Sequence, residues 1–554
     1  MVVVTTGALT ELGKVAQSLV AKRPKTEFER GILSYGYLLM KMTFIITPVI
    51  FIIHVGLQHN VFSSLLFVLA LIVGFAPELL PVILTINLAK GAQRMSKKGV
   101  IVKDLPAIEN YGSMDVLCTD KTGTLTENSI ELISYEDVNR KKNENVFSMS
   151  YLTSYFERGL ENPLERAILK RGKPALAHAY KKVFELPFDF YRKRMSVIVE
   201  HNRKRMLITK GAPEKILFHA LHYKEGEAVH PLTREVREAI HKRFEALSAS
   251  GFRVLALAYR DIGKEGKYKT TDEHDLIFMG LLVFVDPPKK SAKAALQILE
   301  NRGITVKILT GDNELVTAHA CKELGIPIEG TVRGRDIERL DDPALARVVN
   351  KTTIFARLNP ETKKRIIAAL RKSGHVVGYL GDGVNDAPSL RASDIGISVN
   401  NAVDVAKESA DLILLHKDLH VLLDGVDEGR KTFSNVMKYI MMGTSSNFGN
   451  MMSVALASLF LPFLPMLPVQ ILFNDLLYDV SQLLLGNDAV DESAIVKPKK
   501  WNMHFVRKFM LVFGPISSVF DCITFLVLLG LFHATPMLFQ TGWFLESIAT
   551  QTLI

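Results

Sequence analysis

The sequence predicts a multidomain membrane protein in which an α-helical transmembrane bundle is split by a long soluble α/β segment. Apolar stretches of about 20 residues or more, long enough to cross a bilayer, alternate with polar sequence. These stretches lie at roughly 32–57, 62–89, 434–460, 464–485 and 509–532, and another begins near Gly542. A polar segment, about 96–428, separates the second stretch from the third. Within it, short apolar runs that are typical of buried parallel strands end at loops rich in Asp and Gly.

Composition and charge agree with this division. The 554 residues are 48% hydrophobic and 23% charged, which is too mixed for a purely soluble or a purely membrane protein. Lys and Arg cluster on one side of the predicted spans, while the opposite connections at 58–60, 461–468 and 533–542 contain neither. This predicts a cytoplasmic location for the polar segment. We expect the spans to lie in the plasma (inner) membrane. The net charge of +10 is then largely juxtamembrane and predicts no nucleic-acid partner.

The first apolar run of the polar segment, 114–117, delivers Asp120 onto a loop rich in Gly and Thr. A carboxylate presented in this way can act as a nucleophile toward a phosphoryl group. The stretch Cys-Thr-Asp-Lys-Thr-Gly-Thr-Leu-Thr, residues 118–126, resembles the phosphorylation signature of P-type cation-transporting ATPases. The resemblance implies that Asp120 accepts the terminal phosphate of ATP, with Lys121 and Thr122 beside it.

Thr122 separates two hypotheses about the chemistry. Related phosphatases carry a second aspartate at this place, which acts as acid and base and hastens loss of the phosphate. A threonine hydroxyl cannot do this, so the residue favours a longer-lived phosphoenzyme, as a pump requires. A membrane-tethered haloacid-dehalogenase-like phosphatase is the alternative, and a nucleotide-independent scaffold is a third hypothesis.

Two later apolar runs end in similar loops, Thr310-Gly311-Asp312-Asn313 and the stretch 381–386. Because ligands gather at the carboxyl ends of parallel strands, we expect these loops to converge. The resemblance implies a haloacid-dehalogenase-like phosphorylation domain with a Rossmann-like parallel sheet. It further implies a catalytic set of Asp120, Lys121, Thr122, Thr310, Gly311, Asp312, Lys363 and Asn385, and a catalytic Mg²⁺ held by Asp120, Thr122, Asp382 and Asp386.

An inserted segment, about 129–277, has a different sequence pattern from the parts that flank it. Alternating runs at 196–200 and 205–209 predict a hairpin. The segment resembles the α+β nucleotide-binding domain of the same family, which implies ATP as ligand. An aromatic face can stack on adenine, while Lys and Arg can meet phosphates. The implied contacts are Phe188, Lys193, Lys210, Gly211 and Arg253. An acidic residue expected before the helix 164–170 corresponds to either Glu161 or Asn162.

A cation site is predicted within the membrane. Glu78 lies between Pro77 and Pro81, and each proline leaves a carbonyl free one turn earlier. Because intramembrane charges are costly, they are functional by default. The predicted ion ligands are Glu78, Asn447, Asn450, Asn474, Asp475 and Asp479. For Asn447 and Asn450, hydrogen bonding between helices is a credible alternative.

The segments 77–81, 87–92 and 474–482 resemble the magnesium-importing branch of the family. An all-oxygen site suits a hard divalent ion. These donors would also accept calcium, so a calcium or other cation pump is the alternative. The expected ligands and partners are ATP, Mg²⁺, a transported divalent cation and the lipid bilayer.

The resemblance also implies a division of the chain. The expected parts are an actuator remnant and linker (1–27), a transmembrane hairpin (28–95), the phosphorylation domain (96–128 and 278–428), the nucleotide-binding domain (129–277) and further transmembrane helices (429–554). Residues 6–10 resemble the last strand of an actuator domain, and no Thr-Gly-Glu occurs. We therefore expect a fragment that forms a phosphoenzyme without transporting, arising from an incomplete gene model or split gene unless a second polypeptide supplies the actuator.

Overall fold

The protein forms two compact units. The computed structural model describes residues 6, 7, 10, 13, 25–56, 61–74, 79–121, 125–127, 129–157, 163–172, 179–189, 192–263, 268–289, 291–416 and 418–553. Unit 1 consists of Met1–Leu117, Ile298–Thr305 and Leu370–Ile554. Unit 2 consists of Cys118–Gln297 and Val306–Ala369.

Long helices lie toward both ends of the chain, and strands alternate with shorter helices between them. The described α-helices are α1 (Glu27–Gly56), α2 (Val61–Gly74), α3 (Leu80–Lys97), α4 (Ala107–Ser113), α5 (Glu144–Phe156), α6 (Pro163–Lys170), α7 (Pro213–His219), α8 (Arg234–Ala249), α9 (Ala292–Asn301), α10 (Glu314–Leu324), α11 (Gly334–Glu338), α12 (Asp342–Asn350), α13 (Pro360–Lys372), α14 (Ala387–Ala392), α15 (Asp404–Ser409), α16 (Leu419–Phe460), α17 (Pro468–Gln482), α18 (Glu492–Ile495), α19 (Met503–Leu526) and α20 (Pro536–Leu553). The strands are β1 (Val100–Val102), β2 (Val116–Thr119), β3 (Glu131–Glu136), β4 (Lys181–Asp189), β5 (Arg194–His201), β6 (Lys204–Gly211), β7 (Ala220–Glu225), β8 (Ala228–Pro231), β9 (Arg253–Ile262), β10 (Leu276–Val285), β11 (Thr305–Leu309), β12 (Thr331–Arg333), β13 (Ile354–Ala356), β14 (Val377–Leu380), β15 (Ile395–Val399) and β16 (Leu412–Leu414).

Within the described residues, two helical segments of unit 1 are long and apolar enough to cross a bilayer. They are Glu27–Gly56 and Met503–Leu531, the second being α19 with the π-helical turn that follows it. The other predicted spans do not meet both criteria. The second is divided between α2 and α3, and α17 has 15 residues. The third lies within a helix that is long enough but less apolar, Leu419–Phe460. The structure therefore supports two of the predicted spans, and the complete bundle stays a proposal.

The longest helix, α16, has 42 residues and a length of about 60 Å. It begins at Leu419, well before the predicted start at 434, because Asp418 caps its N-terminus and Leu422 and Val426 continue its buried face. Close packing against α4 is possible because glycines meet there: a Cβ on Gly112 would lie 2.5 Å from the carbonyl carbon of Gly429. No side chain fits between these two backbones.

Unit 1 also contains four adjacent strands in the order β1-β16-β15-β14. Strands β14, β15 and β16 are parallel, and β1 is antiparallel to β16. The start of β2 joins this unit through its backbone, because Asp115 N and Val116 N both donate to Val376 O. The loop that follows β14 carries the predicted aspartates at 382 and 386.

Unit 2 is built on a mixed sheet in the order β4-β5-β6-β9-β10-β7-β8, with β3 paired to β10. The predicted hairpin is confirmed, with Ser196 opposite Thr209. Side chains alternate between two apolar clusters: Val197 and Val199 pack with α5 and α6, whereas Ile198 packs with α7 and α8. A parallel group, β11, β13 and β12, completes the unit. The predicted domain boundary at 277 falls inside β10, whose pairing with β3 and β9 continues to its end.

Candidate functional site

Asp120 directly follows β2, and a lysine lies against its carboxylate. Lys363 donates from Nζ to Asp120 Oδ2 at 2.7 Å, and its side chain is only 6% exposed. Lys363 stands in the first turn of α13, which Asn359 caps through a hydrogen bond from Thr362 N and which Pro360 begins. The Asn-Pro start of this helix thus positions the cation at the predicted nucleophile.

A second charged group of unit 2 is centred on Asp312. Lys121 Nζ lies 2.6 Å from Asp312 Oδ2, and one guanidinium nitrogen of Arg253 contacts both carboxylate oxygens of Asp312. Burial would raise the pKa of Asp312, but Arg253 and Lys121 outweigh it and hold this pKa well below the usual range. The structure thus brings together two predicted catalytic residues and a predicted nucleotide contact, Arg253.

The loop after β11 carries the predicted residues Thr310 and Gly311. Thr310 Oγ1 accepts from Asp312 N at 3.2 Å, and Thr310 itself is buried. A Cβ on Gly311 would lie 3.7 Å from Leu358 O, an ordinary van der Waals contact, so packing alone does not require glycine there. Thr122, predicted as a catalytic and metal-binding residue, lies outside the described part of the chain.

The predicted aspartates after β14 belong to unit 1. Asp386 is buried and accepts from Tyr379 Oη at 2.6 Å and from Gly383 N at 3.1 Å. A Cβ on Gly381 would lie 2.6 Å from the Asp386 Cβ, so only glycine fits there. Asp382 is half-buried and Asn385 is exposed. A rigid, glycine-dependent loop therefore holds one carboxylate inside and leaves the neighbouring polar groups accessible.

The predicted ATP contacts lie at one edge of the unit 2 sheet, which we call the nucleotide edge: Phe188, Lys193, Lys210, Gly211 and Arg253. They share this edge because β4, β5, β6 and β9 are antiparallel neighbours. Phe188 is 48% exposed, as a stacking surface requires. Lys193 has a left-handed backbone, with φ of 52°, and burial lowers its pKa. A Cβ on Gly211 would lie 2.5 Å from Lys193 O, which explains the glycine.

Lys210 is more deeply buried than expected for a simple phosphate contact. It is 2% exposed, and its ammonium pairs with Glu165 and donates to Ser154 Oγ. Sequence reasoning missed Glu165, because the expected acid was assigned to Glu161 or Asn162, which lie outside the described residues. The sequence feature that could have indicated Glu165 is its position within the amphipathic helix α6. Burial and the charge of Glu165 raise the pKa of neighbouring Glu157 to about 7.

Five of the six predicted ion ligands lie on α16 and α17. Asn474 is buried and donates to Ser547 Oγ at 3.0 Å, whereas Asp475 and Asp479 are half-buried one turn apart. Asn447 and Asn450 are half-buried on α16, and Glu78 lies outside the described residues. A buried carboxylate was missed: Asp521 of α19 accepts from Trp543 Nε1 at 2.7 Å and from Ser453. The sequence feature that could have indicated Asp521 is its charge within the apolar stretch 509–532.

Known protein families match two parts of the chain. The family described as P-type ATPase, cytoplasmic domain N, matches residues 132–291, which include the nucleotide edge. The family described as cation transporting ATPase, C-terminus, matches residues 463–554, which include α17, α19 and α20.

Similar proteins cover the whole chain. A magnesium-transporting ATPase, P-type 1, of Salmonella typhimurium is 47% identical over all of this chain and 62% of its own length. Its counterpart in Escherichia coli is 46% identical over 63% of its length. A calcium-transporting ATPase of Bacillus subtilis is 31% identical over all of this chain and 67% of its own length. The chain thus spans about three fifths of the magnesium-transporting relatives. On these similarities, and on the Asp120 site described above, the chain belongs to the P-type cation-transporting ATPases.

Proposed function

We propose that this chain contains the catalytic part and the ion-binding helices of an ATP-driven cation transporter that works through an aspartyl phosphate on Asp120. The observation that carries the proposal is the 2.7 Å contact between Lys363 Nζ and Asp120 Oδ2. A buried lysine lowers the cost of bringing an anionic phosphate to an anionic carboxylate. A carboxylate with only a capping role after a strand would not need this cation.

In the proposed reaction, an Asp120 oxygen attacks the terminal phosphorus of ATP, the bond to the bridging oxygen breaks and ADP leaves. Lys363 offsets charge at the nucleophile. The family resemblance assigns Thr310 and Gly311 to the phosphate oxygens. The family resemblance assigns a catalytic Mg²⁺ to Asp120, Thr122, Asp382 and Asp386. This ion would neutralise phosphate charge, and carboxylate and hydroxyl oxygens are the donors it prefers.

Acid trapping after incubation with ATP labelled at the terminal phosphate tests the proposal. The purified chain should acquire acid-stable, hydroxylamine-sensitive label, and Asp120→Asn should not. Label that persists in Asp120→Asn would contradict the assignment of the nucleophile. Rapid release of phosphate without any trapped label would instead favour the phosphatase hypothesis.

We further propose that the transported ion is magnesium and that Glu78, Asn447, Asn450, Asn474, Asp475 and Asp479 contribute to its site. The relatives named magnesium-transporting are 46–47% identical to this chain, compared with 31–32% for the calcium-transporting ones. A cation screen on a full-length form of the protein tests this by measuring ATPase stimulation and growth rescue of a host deficient in magnesium uptake. A response to calcium but not to magnesium would reject it.

The orientation is also a proposal. The clustering of Lys and Arg on one side of the apolar stretches supports a cytoplasmic location for the catalytic parts. The plasma (inner) membrane is the proposed location of the spans. The lipid bilayer and a second polypeptide carrying an actuator domain are the proposed macromolecular surroundings. Protease accessibility in spheroplasts and in inverted vesicles would test the orientation.

A further inference from the structure

Arg357, which immediately follows β13, joins two carboxylates of unit 2. Its Nε donates to Glu314 Oε2 at 2.8 Å, and its NH2 group donates to Glu214 Oε1 at 2.8 Å. Glu314 stands in the first turn of α10, and Glu214 in the first turn of α7. The two ends of one guanidinium therefore hold two helices that belong to different parts of the unit.

The backbone of Arg357 is held as firmly as its side chain. Its φ of 54° is left-handed, a conformation that is costly for a residue with a Cβ. Arg357 N donates to Asp312 O at 2.9 Å, and Leu358 N donates to Thr310 O at 3.0 Å. These two hydrogen bonds attach Arg357 and Leu358 to the Thr310–Asp312 loop.

The ion pairs of Arg357 are partly shielded from water. The exposed fraction of the side chain is 30% for Arg357 and 12% for Glu314, which also pairs with Arg333. Burial would raise the pKa of Glu314, but the hydrogen bond from Arg357 and the nearby positive charges lower it below its usual value. A shielded network of this kind contributes more than an isolated surface pair.

Glu214 connects this network to the nucleotide edge. It lies three residues after Gly211, at the point where β6 gives way to α7. Burial, followed by the charge of Arg357, lowers the pKa of Lys193, another residue of this edge. Glu214 and Arg357 therefore connect the nucleotide edge with the backbone of Thr310 and Asp312.

We propose that Arg357 is a positioning residue that holds the nucleotide edge against the Thr310–Asp312 loop, so that bound ATP presents its terminal phosphate to Asp120. This inference rests on the proposed function. The two contacts require a side chain with two separate donor groups, because Nε donates to Glu314 and NH2 donates to Glu214. A lysine at this position could satisfy only one of them.

The test compares two phosphoryl donors on the full 554-residue chain in detergent: labelled ATP, and labelled acetyl phosphate, which has no nucleotide to position. Arg357→Ala and the isosteric Glu214→Gln should each raise the ATP concentration for half-maximal labelling of Asp120 by about tenfold. Labelling by acetyl phosphate should stay within about twofold of wild type. Arg357→Lys should recover part of the loss, and the double variant should be no worse than Arg357→Ala.

Arg335→Ala, at an exposed arginine of α11, is the matched control and should leave labelling by both donors unchanged. Equal loss of labelling from both donors in Arg357→Ala and Glu214→Gln would overturn the proposal, because it would show damage to the phosphate site itself. Unchanged labelling by ATP in both variants would overturn it as well. Wild-type chain that accepts label from neither donor would instead refute the proposed function on which the inference rests.

Discussion

At the residue scale, the proposed chemistry depends on one contact between distant parts of the sequence. Lys363 is 243 residues from Asp120, yet its ammonium lies 2.7 Å from the carboxylate. Two further cations, Lys121 and Arg253, pair with Asp312. Lys363 is thus the cation that the described structure places at Asp120.

Replacing Lys363 by alanine should slow labelling of Asp120 by ATP about 100-fold, because a preorganised charge at the reacting oxygen is lost. Rapid-quench measurement of the label gives the rate. Lys364→Ala, the next residue on α13, is the matched control and should label at the wild-type rate. Equal labelling rates in the Lys363→Ala and Lys364→Ala variants would show that this contact has no catalytic role.

Glu109 of α4 provides a pH-dependent test of burial. Its carboxyl group is 1% exposed, neither oxygen has a hydrogen-bond partner among the described residues, and burial raises its pKa to about 8. The folded protein therefore binds this proton more tightly than the unfolded chain does. Its contribution to stability is present below the usual carboxyl range and is lost as pH rises toward 8.

Glu109→Gln should consequently unfold like wild type near pH 5 but be more stable than wild type at pH 9, because the amide never ionises. Thermal unfolding of the detergent-solubilised chain, followed by circular dichroism at both values of pH, measures the difference. Parallel loss of stability in wild type and variant between pH 5 and pH 9 would contradict the prediction.

At the element scale, the close packing of α16 against α4 depends on a glycine, which has no side chain. A Cβ on Gly429 would lie 2.8 Å from Gly112 N and 2.9 Å from Ile108 O, both of which are backbone atoms. The same atom on Gly443, further along the helix, would meet nothing within 4 Å. The two glycines therefore have the same helical propensity but opposite packing environments.

Gly429→Ala should lower the free energy of unfolding by about 1–3 kcal/mol, because α4 and α16 must separate to admit the methyl group. Gly443→Ala on the same helix should be neutral or stabilising by up to about 1 kcal/mol. Chemical denaturation of the two variants in the same detergent compares them directly. A Gly429→Ala variant as stable as Gly443→Ala would mean that α4 and α16 are not in close contact.

Local sequence patterns predicted some elements well and others poorly. The β5–β6 hairpin was predictable because its alternating apolar residues face two clusters. Strand β11 ends at Leu309, directly before the loop that the sequence predicted at Thr310. The second predicted span was continuous in the sequence but is divided between α2 and α3. Hydropathy averages over a window and cannot show where one helix ends and the next begins.

At the scale of the whole molecule, the apolar surface of the long helices decides where the protein lies. Phe44 and Ile52 of α1 and Leu526 of α19 are 75%, 68% and 74% exposed. Such residues on helices long enough to cross a bilayer are costly in water and favourable in lipid. A membrane location follows for the chain, in agreement with its family.

The chain should therefore remain in the membrane pellet after alkaline carbonate washing and move to the supernatant only with detergent. Immunoblotting of the two fractions from cells that express the chain gives the readout. Release of the folded chain by carbonate alone would show that neither Glu27–Gly56 nor Met503–Leu531 is inserted in lipid.

The sequence by itself determined the family and predicted the nucleophile, because residues 118–126 are contiguous and their order alone indicates the chemistry. It also predicted which residues would meet ATP, but not their surroundings. Only the tertiary structure decided that Lys363 faces Asp120, that Arg253 and Lys121 share Asp312, that Glu165 neutralises Lys210 and that Arg357 bridges two helices. The physical reason is that each of these pairs joins residues far apart in the chain, and strand register and helix packing, which no local pattern encodes, set their distances.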